Sequence, residues 1–176
     1  MTTTAERASP ETQKSRDSLA TRVGLAVLRV GVAVLWIENA GWKTPPDFSS
    51  LRRYTSEAVE HPVVPPFTWV VEQIVLPNFT FFAWVTLLVE ASLGAFLLIG
   101  LATRLWALLG IGQSLAITMS VMNAPNEWEW SFYLMILAHV AVFATAAGRC
   151  FGLDEVMRPI WRASDSRLSR LLLRLS

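Results

Sequence analysis

Four long apolar stretches, near residues 23–42, 79–101, 105–124 and 131–148, alternate with polar connections. Each approaches the roughly 20 apolar residues that a helix needs to cross hydrocarbon. The pattern predicts an all-α membrane protein: a four-transmembrane-helix bundle over 22–154, preceded by a polar tail (1–21) and followed by a basic amphipathic tail (155–176). The first connection, 43–78, is long for a helix bundle and carries its own pattern. Phe48 to Glu60 has helix-forming composition, His61-Pro62 and Pro65-Pro66 punctuate the chain, and Phe67 to Leu76 is an apolar piece ended by Pro77-Asn78. At ten residues that piece is too short to span. It is expected to be an interfacial or re-entrant helix over the outer mouth of the bundle, either as a packing lid or as part of a site.

Polar residues interrupt the apolar runs. Arg29, Glu38, Glu90, Gln113 and His139 all fall inside them. A charge at the bilayer centre costs about 2.5–3.5 kcal/mol on insertion scales, so such groups pair across a bundle or line a wet cavity. The simplest expectation is an internal network in which Arg29 pairs with Glu90, with Gln113 and His139 adding hydrogen bonds. A structural role for the ion pair, fixing helix register, remains open beside a functional one. At about 100° per residue, Arg29, Trp36 and Lys43 fall within about 40° of one line and face inward together. Glu38 lies about 180° from Arg29. It faces a second interface, marks unwinding near Asn39-Ala40-Gly41, or points to another subunit.

Composition fits this picture and narrows it. Hydrophobic residues make up 53% of the 176 and charged residues only 16%; the net charge of +1 says nothing about nucleic acid, and no nucleic-acid partner is expected. The single cysteine, Cys150, allows no internal disulfide, and no metal or haem site is expected from the spacing of Cys and His. The first 21 residues are too polar for a cleaved leader, so the first helix is expected to act as an uncleaved signal anchor.

Eleven basic residues, from Arg7 to Arg22, at Arg104 and from Arg149 to Arg174, fall on one predicted side, against Lys43, Arg52 and Arg53 on the other. The positive-inside rule then places both termini in the cytoplasm of a multi-pass protein in a bacterial-type plasma membrane. Trp42, Trp69, Trp128 and Trp130 form an outer aromatic belt, and the arginine-rich tail suits either an anionic leaflet or a docking partner.

The segment LRVGVAVLWIENAGWKTPP with its Arg29 and Gly41-Trp42-Lys43, then EASLGAFLLIGLATR from Glu90, EWEWSFYLMILAH from Glu127 and the exit GRCFGLD ending at Asp154, together resemble the DoxX/DoxD superfamily of small four-helix membrane proteins. That group includes the DoxD subunit of thiosulfate:quinone oxidoreductase. The resemblance runs from about Leu28 to Asp154. It implies a subunit passing electrons from a small reduced sulfur compound to membrane quinone, with the bilayer, a partner oxidoreductase subunit or further copies of the chain as neighbours. On this reading Arg29, Glu90 and His139 are the catalytic candidates. Lys43, Trp36, Glu38, Gln113 and Phe132, with Phe143, are the candidates for binding donor or quinone. His139 suits proton exchange because its unperturbed pKa lies near 6.5. A non-enzymatic scaffold and a proton-coupled transporter using Glu38, Glu90 and His139 are the alternatives.

Overall fold

The computed structural model describes the backbone from Pro10 and the side chains from Ser18 to the end of the chain, Ser176. The elements are α1 (Pro10–Gly41), α2 (Ser49–Glu60), α3 (Pro65–Val70) continuing into a π-helical turn (Val71–Val75), α4 (Phe79–Ile99), α5 (Thr103–Val121), α6 (Glu129–Thr145), a 3-10 turn (Ala147–Arg149), α7 (Leu153–Arg162) and α8 (Arg167–Leu175). α1 starts inside the segment expected to be a polar tail; the earliest part of that tail lies outside the described residues.

Three segments, Ser18–Gly41, Phe79–Ile99 and Thr103–Val121, are long and apolar enough to cross a bilayer. α6, with 17 residues, sits at the lower bound of spanning length. α1 packs against α4 and α5 against α6, while α2 also packs against α5. Between them sits a small core of Val32, Ala33, Trp36, Leu93, Leu97, Ala107, Val142 and Ala147. Gly94 allows the α1–α4 approach, since a Cβ there would lie 2.7 Å from Ile37 Cγ1. The outward faces are apolar instead of polar, with Val27, Phe81, Leu88 and Leu137 each at least 60% exposed. That inverted pattern suits a bundle solvated by lipid tails, and the protein is a multi-pass membrane protein.

The bundle has two unlike ends. At the end carrying the α4–α5 turn, polar groups are consumed by backbone. Arg29, 2% exposed, donates through Nη1 to the carbonyls of Leu97 (2.6 Å) and Leu98 (2.7 Å) and through Nη2 to Phe151 (3.4 Å). It thus serves the last carbonyls of α4, where a cation also complements the helix dipole. Asp154, fully buried, accepts from the amides of Ala102 (2.7 Å) and Thr103 (2.9 Å) and so caps the start of α5 from a point 51 residues further along the chain. Its own amide donates to Gly100 (2.8 Å). Gly148 is pressed against this joint: a Cβ would lie 2.0 Å from Thr103 Oγ1. The expected Arg29 and Glu90 pair is therefore not formed. Leu97 and Glu90 are seven residues apart on α4, which separates the two levels by roughly 10 Å.

Candidate functional site

At the opposite end, where the long connection folds over the bundle, Glu90 finds a different cation. α1 stops at Gly41, and the Lys43 amide closes a turn onto the Ala40 carbonyl (3.1 Å). This brings the lysine side chain back over the helix end. Its Nζ donates to the Asn39 carbonyl (2.7 Å), pairs with Glu90 Oε2 at 2.5 Å and lies 4.1 Å from the Trp42 ring centroid. Glu90 is fully buried and Lys43 nearly so. The other carboxylate oxygen, Oε1, accepts from Gln113 Nε2 (3.0 Å). Three elements thus contribute to one polar cluster: the end of α1, the middle of α4 and the middle of α5. A buried ion pair needs close geometry and further hydrogen bonds to offset its desolvation. Here Asn39 and Gln113 supply them.

The cluster opens onto a cavity of about 740 Å³. Lys43, Glu90 and Gln113 line it together with Phe82 and Thr86 of α4, Ile117 and Val121 of α5, and Phe132 and Met135 of α6. The long connection supplies the remaining walls: Leu51 and Tyr54 from α2, Phe67 from α3 and Val71 and Val75 from the π-helical turn. Both pieces of the connection therefore form helix, and both reach the site. Tyr54 packs on Trp42 with ring centroids 5.3 Å apart, and Phe48, at φ +49°, buries its ring against Trp84 to fix the start of α2. The arrangement offers a mostly apolar space with an ammonium, a carboxylate and a carboxamide in its wall, the composition common in small-molecule sites.

His139 is held behind this space. Its Nε2 accepts from the indole N–H of Trp36 (2.7 Å), and its Nδ1 lies 2.7 Å from the Met135 carbonyl. An indole N–H only donates and a carbonyl only accepts, so the ring carries its proton on Nδ1 and both nitrogens are engaged. Gly110 of α5 provides the room, since a Cβ there would stand 2.1 Å from His139 Cδ2. The pair is a three-helix joint.

The candidates from sequence thus separate. Lys43, Glu90, Gln113 and Phe132 meet at the cavity, whereas Trp36 and His139 meet each other in the α1–α6 seam. Arg29 is at the turn end, and Phe143 is too, with the Arg104 guanidinium 5.8 Å from its ring. Glu38 is exposed on α1 and does not line the cavity. Arg29, Trp36 and Lys43 do share the inward line expected from helical phase, and all three are buried. Sequence reasoning missed the contribution of α2. Its cavity face, Ser50, Leu51, Tyr54 and Thr55, follows an i, i+1, i+4, i+5 spacing that is visible in the sequence.

Comparison with known proteins gives one match. No curated protein and no solved structure matches significantly. The profile of the family described as "TQO small subunit DoxD" matches residues 25–174, which takes in α1 from Leu25 onward, all of α4, α5 and α6, the cavity and the turn-end joint. By that match the chain belongs to the DoxD family.

Proposed function

We propose that this chain is the membrane subunit of a quinone-linked oxidoreductase of the thiosulfate:quinone type, and that the cavity between α2 and the bundle receives the quinone ring. The observation that carries the reading is the buried Lys43–Glu90–Gln113 cluster opening onto a large, aromatic-walled space. The residues present suit such a ring. Lys43 and Gln113 offer N–H donors for a carbonyl oxygen, while Phe82, Phe132 and Met135 offer flat or polarisable apolar surface.

A quinone supplies a two-electron, two-proton acceptor to this chemistry. Lys43 would bind and orient one carbonyl oxygen through its ammonium. Glu90, whose two oxygens are held by Lys43 and Gln113, is the group able to take up and release a proton at the cavity wall. The apolar walls exclude water and so strengthen both interactions. His139 acts as a positioning residue in this scheme: through the Met135 carbonyl and Trp36 it holds the α6 segment that carries Met135 and Phe132. The electrons would come from a small reduced sulfur donor, oxidised on a partner subunit or at the outer mouth. The basic turn end would face the cytoplasm and the cavity the opposite side.

The test is donor-dependent quinone reduction in membranes containing Glu90→Gln or the paired Lys43→Met/Glu90→Gln variant, alongside identification of quinone copurified with the wild-type chain. Loss of reduction at normal protein levels is the expected outcome. Full activity in both variants overturns the reading.

A further inference from the structure

Glu38 stands where a charge is hardest to keep. α4 is 21 residues long, roughly 31 Å, and so matches the hydrocarbon core from end to end. α1 runs against it in the opposite direction: Ile37 lies against Gly94, where a Cβ would stand 2.7 Å from Ile37 Cγ1, and Lys43 reaches Glu90. Glu38 therefore lies between those two levels, roughly 16–22 Å from the Phe79 end of α4 and roughly 8–14 Å from the Ile99 end. Exposed Phe81, Leu88 and Leu98 keep the outward face of α4 apolar on both sides of that depth. Glu38 itself is exposed and has no hydrogen bond or ion pair among the described residues. An ionisable side chain at such a depth is normally turned into a bundle and paired. This chain offers it no cation. Phe79–Ile99 and Glu129–Thr145 hold no lysine or arginine, Arg104 is in the first turn of α5, Arg29 is committed to the carbonyls of Leu97 and Leu98, and Lys43 to Glu90. A second copy inserted the same way round would bring another Glu38 and nothing to pair with it.

The same face is shaped for a close neighbour. Gly24, Val27, Gly31, Val34 and Glu38 alternate at spacings of three and four and are all exposed. A glycine inside a helix is less stable than an alanine unless its bareness is used. Within this chain it is used at neither position: a Cβ on Gly24 or Gly31 would meet nothing within 4 Å. Gly94, Gly110 and Gly148, by contrast, each press on a neighbouring segment. In a membrane, bare glycines let helix backbones approach one another. The unused glycines and the unpaired carboxyl group fall on one line and call for one thing, a helix from outside the chain with a positive charge.

We propose that this face of α1 docks a transmembrane helix of a different subunit, one that carries a lysine or arginine at the depth of Glu38. Its cation pairs with Glu38 in a low dielectric, and Gly31, one heptad below, sits where the two backbones come closest. The face is opposite the Arg29, Trp36 and Lys43 line, so the docking does not depend on what the cavity binds.

The experiment places the full chain in phosphatidylcholine vesicles with a tryptophan-free leucine–alanine transmembrane peptide that carries one lysine at its centre and a dansyl acceptor at one end. Energy transfer from the tryptophans of the chain reports association. The lysine peptide is expected to bind about tenfold more tightly than the same peptide with leucine at its centre, and Glu38→Leu is expected to abolish that difference. Gly31→Leu is expected to weaken binding of the lysine peptide about fivefold. Both substitutions point away from the bundle, so both variants are expected to fold, and their thermal midpoints check this. In native membranes, a photoactivatable side chain at Val34 is expected to join a different chain, at a helix in which mass spectrometry reads a lysine or arginine. Equal binding of the two peptides, an unchanged difference in Glu38→Leu, or unchanged affinity in Gly31→Leu overturns the proposal. So does a photoadduct with lipid alone, with a second copy, or with a helix that lacks a cation.

Discussion

The two ends of the bundle bury charge in opposite ways. At the turn end, Arg29 and Asp154 spend their charges on helix carbonyls and amides, so each is locked to the backbone that it serves. At the loop end, Lys43 and Glu90 spend much of theirs on each other, beside a cavity wall. A charge committed to backbone can only hold; a charge committed to another side chain at a cavity can be re-paired by a ligand. That difference separates architecture from chemistry among residues that look alike in sequence.

The comparison breaks most sharply at the ion pair. Lys43→Met alone leaves a buried carboxylate without its cation and is expected to cost about 3–5 kcal/mol, read as a fall in thermal midpoint in detergent. Adding Glu90→Gln should recover most of that loss while quinone reduction stays absent. No such rescue is expected at the turn end. Asp154→Ala strips two buried amides of α5 of a charged acceptor and should cost about 2–3 kcal/mol, with no second-site carboxamide restoring it. If a partner change did rescue it, the contrast between the ends would be lost.

Smaller effects sharpen the same contrast. Gly110→Ala forces a methyl into His139 and is expected to destabilise by about 1–3 kcal/mol; a proportionate loss of quinone affinity would show that the joint aligns Met135 and Phe132. The smallest effect is pH-dependent. Arg22 and then the Phe151 amide hold the Glu155 carboxyl below its ordinary value of 4.5. A depressed carboxyl adds stability above the unfolded value and loses it as pH falls through the folded one. The stabilisation should therefore fade only below about pH 4.5. Thermal midpoints of wild type and Arg22→Gln across that window should converge in acid, and the gap should be small because the pair is exposed.

The membrane class, the four apolar helices and the helical pieces of the long connection were legible in the chain because each rests on local periodicity. So was the inward line of Arg29, Trp36 and Lys43. What periodicity could not supply was height: Arg29 and Glu90 are the two most conspicuous opposite charges, but antiparallel packing sets Arg29 level with Leu97 and leaves Glu90 to the lysine beyond the helix end. The role of His139 was hidden for a related reason, since its indole partner is 103 residues away in sequence. Asp154 was visible only as part of a resemblance, because a cap delivered from another segment leaves no signature next to the helix that it caps.

That remote cap also has a consequence for biosynthesis. α5 emerges from the ribosome well before Asp154, which follows α6 and the 3-10 turn. Until the residue arrives, the first amides of α5 lack their final acceptor, and the α4–α5 hairpin sits in the membrane as an unfinished part. Placement of α6 and the 3-10 turn is then also the step that secures α5, so truncation ahead of residue 154 should leave a chain that inserts but does not settle.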